Sequence, residues 1–245
     1  MHDRRGIVLF GDVIDSRREP ERASAWLRSL RAALERAIPS GERLAPFGMT
    51  QGDELQGLLA ADGDPLRAIL VGCLDERALP MRWVVSAGPI DPGRGPAIER
   101  TGPAFLAARD AVARARARRD LLVVETGEPG ADRLLAEVAP VLGELLAELT
   151  DSQRAVARLM LVDELRQADV AERLGVARAT ISVAHARGHI RSIARLVAAL
   201  RAIFRAAMLA LAEDDRAATE VGTPSAATSA PDRSRPRGAL VSPAR

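Results

Sequence analysis

The sequence predicts an α+β chain, an antiparallel sheet domain followed by an all-α unit. Three observations carry this. Short apolar runs rich in Val, Ile and Leu alternate with amphipathic stretches up to about residue 124, the signature of strands and helices packed in layers. From Gly127-Glu128-Pro129-Gly130 onward the pattern turns almost purely helical, as far as Ala212. Beyond Glu220 the chain is Thr, Ser, Pro, Ala, Gly and Arg with few large apolar residues, a composition that buries too little surface to offset its ordering entropy. The predicted division is therefore 1–127, 128–212 and a disordered tail over 213–245.

The elements follow in order. Residues 6–14 (GIVLFGDVI) read as a buried strand. Pro20 opens a helix whose apolar positions, Ala23, Trp26, Leu27, Leu30, Leu34 and Ile38, fall three or four apart; Pro39-Ser40-Gly41 ends it. Strands are expected over 43–47 and 54–60, then a helix from Pro65 to near Arg77 and a strand over 81–90. Asp91-Pro92-Gly93-Arg94-Gly95-Pro96 is a loop, followed by a helix over 103–118 and a strand over 121–124. The order β-α-β-β-α-β, then α-β, is the ferredoxin-like plan with one added helix and strand, its helices on one face.

At 245 residues the chain can hold two modest domains, each with a core. Cys73 is the only cysteine; it forms no internal disulfide and reads as a small buried hydrophobe. The opening MHDRRGIVLFGDV lacks a signal-peptide pattern, and no run of about 18 apolar residues exists, so a cytoplasmic protein without a membrane partner is expected. Net charge is only +2, yet its distribution is uneven. Between Arg173 and Ala212 there is no Asp or Glu, while Arg173, Arg178, Arg187, Arg191, Arg195, Arg201 and Arg205 fall inside. Such a local basic face is the footprint expected where phosphate is met; a solvated helix face is the plainer alternative.

The helical part contains a helix-turn-helix pattern. With Gln167 as its first position, Ala171 stands where a small residue lets two helices approach, and Gly175 stands in the turn, where a left-handed conformation is needed. Val170, Leu174, Val176, Ile181 and Ala184 are expected to lock the second helix across the first. Arg178, Ala179, Thr180, Ser182, Val183 and Arg187 then point outward toward a major groove, with Gln167 and Thr180 placed for phosphate. Upstream, residues 149–161 read as a support helix capped by Thr150 or Asp151. The segment LTDSQRAVARLMLVDELRQADVAERLGVARATISVAHARG resembles the promoter-reading helix-turn-helix of sigma factors and of LuxR-type regulators. His185 and His189, four apart without a third ligand nearby, read as surface or DNA-facing residues.

In the first half, Asp12 and Asp15 lie at the end of the first strand (FGDVIDSR). Asp53 and Glu54 lie in TQGDELQ, where a glycine permits a tight turn. If the first strand neighbours that hairpin, Asp12 and Asp53 approach each other and form a hard oxygen site suited to Mg²⁺ and nucleotide phosphates. The bland alternative is that these carboxylates cap turns, Asp15-Ser16 capping the helix after Pro20. The GDVIDSR start, the QGDE hairpin and the GPAF helix, followed by a helix-turn-helix, resemble the SatD family of bacterial proteins over about residues 6–188. The same hairpin and the TGPAF segment resemble the class III nucleotidyl cyclases and the GGDEF-type cyclases.

These resemblances imply a cyclase-like sheet domain that senses a metal-bound nucleotide or phosphorylated metabolite, joined to a DNA-binding unit that regulates transcription as a homodimer. The departures from the cyclase pattern favour binding over catalysis. The chain has no Lys, Ala104 and Phe105 stand where the cyclases place a ribose-binding Asn, and the hairpin lacks a doubled glycine. An active metal-dependent cyclase or related phosphoryl transferase tethered to a helix-turn-helix is the alternative. The run Arg114, Arg116, Arg118 and Arg119 reads as a solvated helix end. The long helix beginning at Ile190 is either a dimer element or the closing wall of its own core.

Overall fold

The computed structural model describes residues 4–50 and 53–221. It is a mixed α/β structure with a five-stranded sheet and eight α-helices among these residues. The strands are β1 (Arg4–Val13), β2 (Arg43–Met49), β3 (Glu54–Ala60), β4 (Met81–Ile90) and β5 (Leu122–Glu125), in the order β2-β3-β1-β4-β5. β1 is central and pairs antiparallel with β3 and β4.

Two expectations about the sheet need correction. It is mixed rather than purely antiparallel, because β5 runs parallel to β4, to which it is joined through a helix, the connection that parallel neighbours require. Helices also cover both faces instead of one. Along β1, Ile7, Leu9 and Val13 enter one core while Val8 and Phe10 enter the other. A strand apolar on both faces needs cover on both.

The first face is packed by α1 (Pro20–Ala37), α2 (Pro65–Cys73) and α4 (Pro129–Ala147). Trp26, Leu27, Leu30 and Leu34 are buried, so the spacing of three and four along α1 does place one stripe inward. Asp64 caps α2 by accepting from Leu66 N at 3.1 Å and Arg67 N at 3.4 Å. α2 stops at Cys73, short of the expected Arg77. There the Asp75 carboxylate accepts from Arg77 N at 2.9 Å, a local turn that competes with another helical turn. The opposite face is packed by α3 (Pro103–Arg118), through Ala104, Phe105, Ala108 and Ala111. Neither Asp15 nor Ser16 caps α1; its N-cap is Glu19, without a side-chain hydrogen bond.

The C-terminal helices are α5 (Asp151–Leu161), α6 (Gln167–Leu174), α7 (Arg178–Arg187) and α8 (Ile190–Val221). Their apolar side chains, among them Val156, Val170, Ile181, Ile193, Leu200 and Phe204, join the core on the α1 side of the sheet without a break. Ion pairs tie them down as well: Arg158 to Asp75 at 3.8 Å, Arg201 to Asp64 at 2.6 Å and Arg5 to Asp215 at 2.6 Å. Leu200 and Met208 of α8 are buried within the chain itself. α8 also continues through residues 213–221, which were expected to begin a disordered tail; the remainder of that tail and the glycine of the QGDE hairpin lie outside the described residues. No described helix is long and apolar enough to cross a membrane.

Two glycines differ in a way that gives a prediction. Gly102, the N-cap of α3, has φ +131°, and a Cβ there would stand 2.7 Å from Asp91 N and from Ile90 Cα. Gly175 has φ +65° with open space around it. Gly102→Ala should therefore cost about 3 kcal/mol of unfolding free energy, strain and backbone collision together, against about 1 kcal/mol for Gly175→Ala. Urea titrations followed by circular dichroism measure both; similar costs would refute the steric account of Gly102.

Candidate nucleic-acid interface and carboxylate cluster

The helix-turn-helix pattern maps onto α6, a turn and α7. α6 ends at Gly175, whose φ and ψ of 65° and 32° are left-handed, and whose N–H closes the helix on Glu172 O at 3.2 Å. Val170, Ala171 and Ile181 are buried where the two helices meet. Leu174 and Val176 depart from expectation: they are 39% and 40% exposed and do not lock the pair. The contact is made by fewer residues than the pattern called for, and the short α6 is held mainly by Val170 and Ala171 against the shared core.

Every residue expected on the outward face of α7 is exposed: Arg178, Ala179, Thr180, Ser182, Val183 and Arg187. Gln167, at the start of α6, is half-buried. α5 begins with a capping box, Gln153 N donating to Thr150 Oγ1 at 3.4 Å and Thr150 N to Gln153 Oε1 at 2.9 Å. Between that helix start and α7 lies an open cleft of about 580 Å³, lined by Thr150, Ser152, Gln153, Thr180, Val183 and Arg187. Of the basic run, Arg187 lines this cleft; it and Arg173, Arg178, Arg191, Arg195 and Arg205 are exposed and form no ion pair with a described residue. Arg201 is the exception within the basic run, since Asp64 neutralises it.

β1 does neighbour the β2–β3 hairpin, but Glu54, not Asp53, stands opposite Asp12 in the register. Asp12 is buried, and guanidinium groups occupy both of its oxygens. Arg116 Nη2 donates to Oδ1 at 2.8 Å and Nε to Oδ2 at 3.2 Å, while Arg82 Nη1 donates to Oδ2 at 3.1 Å. Arg82 also donates from Nε to Asp120 O at 3.1 Å. The Asp53 carboxylate accepts from Ser16 Oγ, and its backbone carbonyl accepts from Val13 N at 2.9 Å. The hydrogen bond to Asp12 holds the Arg116 pKa above its ordinary value; partial burial opposes this, and the charges of Asp12, Asp53 and Glu54 reinforce it.

This donor set suits a cation poorly as it stands. A Mg²⁺ ion wants unengaged carboxylate oxygens, and here it would have to displace Arg116 from Asp12. The two arginines were not found from sequence, where Arg116 passed for part of a solvated helix end. A signal existed for each. Arg116 is four residues beyond buried Val112 on α3, and Arg82 is two before buried Val84 on β4, so both periodicities aim them at the α3 side of the sheet.

The cluster predicts an asymmetric response to mutation. Arg82 and Asp12 side chains are 12% and 6% exposed, that of Arg116 54%. Asp12→Ala leaves Arg82 nearly buried and unpaired and should cost about 3 kcal/mol. Arg116→Ala, at a half-exposed pair, should cost about 1 kcal/mol or less. Equal losses in chemical denaturation would mean that the burial of Arg82 does not govern the cluster. No protein-family model matches this chain, and no curated protein matches it significantly.

Proposed function

We propose that the chain is a DNA-binding transcriptional regulator, with α7 as the element that enters the major groove. The carrying observation is the outward face of α7: Arg178, Ser182 and Arg187 exposed together, within a stretch of sequence free of acidic residues from Arg173 to Ala212. Arg178 and Arg187 are suited to guanine edges, Ser182 to a base edge or phosphate, and Gln167 and Thr180 to phosphate. The cleft between α7 and the start of α5 gives the sugar-phosphate ridge a place to lie beside Thr150, Ser152, Thr180 and Arg187. Protein–DNA interfaces place about half or more of their hydrogen bonds on this backbone. A single unit of this size reads a short site, so two copies on half-sites about 34 Å apart complete the reading.

The ferredoxin-like reading of the sheet belongs to the same proposal and is supported by the order β2-β3-β1-β4, with β5 as the added strand. With it goes the resemblance to the SatD family, whose QGDE hairpin and helix-turn-helix match this layout in order. In that reading the sheet domain senses a Mg²⁺-bound nucleotide or phosphorylated metabolite at Asp12 and Asp53, the incoming cation exchanging with Arg116. The catalytic alternative requires the same exchange.

Two experiments follow. In a salt series on genomic fragments, wild-type affinity should fall steeply with salt, and Arg178→Ala/Arg187→Ala should weaken binding by about tenfold or more while flattening the salt slope. Wild-type protein that binds no DNA at low salt would overturn the regulator reading. For the sensing reading, Arg116→Ala should raise affinity for Mg²⁺-nucleotide in calorimetry, since it removes the competitor for Asp12. If neither protein binds, the Asp12 cluster is structural only.

A further inference from the structure

The outward side of α7 carries an apolar group in its middle. Val183 is 49% exposed, two residues on from Ile181, which is 1% exposed. Two residues turn a helix by about 200°, so the isopropyl group of Val183 points away from the core that Ile181 fills. Ala179, one turn before, and Ala186, one turn after, lie on the same side of the helix and are exposed as well. Ser182 flanks this row on one side, and Thr180 and Arg187 flank it on the other. Val183 and Ala179 also line the α7 wall of the cleft.

A single apolar side chain on a solvated surface needs no partner, but Val183 stands at the centre of the face offered to a major groove. Base edges there present acceptors, amino donors and one apolar group, the thymine 5-methyl. An isopropyl group pressed on an acceptor or an amino group strips its water without replacing the hydrogen bond, which costs free energy. Pressed on a methyl, it removes apolar surface from water on both partners. Ala179 and Ala186 reach no further than their β carbons, so the backbone can approach the groove while Val183 projects from it. With the sugar-phosphate ridge against Thr150 and Ser152 on the α5 wall of the cleft, the adjoining base edges fall on the α7 wall, beside Val183.

We infer that Val183 is a specificity-determining residue that selects thymine, its isopropyl group packing on the 5-methyl in the major groove. The inference rests on the DNA-binding reading and adds a base identity to it. The arginines attract any duplex and favour guanine where they reach a base edge. Val183 supplies what they cannot, the distinction of thymine from cytosine, which carries only hydrogen at the same ring carbon.

The test compares genomic fragments bound in the salt series, each synthesised once with thymine and once with uracil, which differ only by the 5-methyl group. The full chain should bind the uracil form about fourfold more weakly for each methyl that Val183 covers. Val183→Ala should bind the thymine form about fourfold more weakly than wild type and discriminate little between the two forms, so that the proteins converge on uracil DNA. Alanine favours an exposed helical position, so circular dichroism of the variant should match wild type. Its salt slope should match too, since no phosphate contact is lost. Equal wild-type affinity for both forms, or an undiminished uracil loss in Val183→Ala, overturns the inference while leaving the DNA-binding reading in place. Wild-type protein that binds neither form at low salt overturns both.

Discussion

Burial of β1 on both faces is the constraint from which most of the architecture follows. A central strand with Ile7 and Leu9 in one core and Val8 and Phe10 in the other cannot leave either side of the sheet open. α3 closes one side, and α1, α2 and α4 close the other. The same burial sets the chemistry at the end of the strand. Asp12 continues the side of Phe10, so its carboxylate is carried under α3, away from water. An ionised carboxylate there needs charge and hydrogen bonds brought to it, and Arg82 from β4 and Arg116 from α3 bring both.

The α1 side of the sheet has a different task. Its apolar surface is not exhausted by α1, α2 and α4, and the helices from α5 to α8 continue the same core. A helix-turn-helix pair buries little on its own; here Val170, Ala171 and Ile181 are its whole buried set. Its orientation must therefore come from outside, from α5 beneath it and from α8, which is anchored as far as Asp215 on the Arg5 end of β1. The consequence for function is that the exposed face of α7 is presented on a platform continuous with the sheet. A change in the packing between α5 and α2 has a direct physical route to α7.

Local features of this chain were legible in its sequence because local chemistry decides them. Pro20 and the three-four spacing from Ala23 to Leu34 gave α1 its start and its inward stripe. Thr150, one of the two expected caps, does cap α5, and Gly175 takes the left-handed turn for which glycine is suited. What escaped was decided by distant partners. Arg82 and Arg116 meet Asp12 across 70 and 104 residues, and a residue's spacing along its own helix does not say which carboxylate will face it. The exposure of Leu174 and Val176 belongs to the same class, since their apolar character marks what they can bury, not whether a neighbour reaches them. α4 shows it at the level of an element: it reads as the opening of a helical unit, yet it packs on β5 and completes the sheet.

The contrast between the two candidate sites is electrostatic. At the Asp12 cluster, charges of both signs are paired within the protein, so any incoming ion must break a formed interaction before it gains one. On α7 and α8, exposed arginines form no ion pair among the described residues, and an incoming polyanion gains attraction while releasing counterions. Arg201 marks the boundary between these regimes, a member of the basic run in sequence that Asp64 has already claimed in space. Recognition of a polyanion is therefore the lower-cost function for this surface, and any ligand at Asp12 must bring enough charge to replace Arg116.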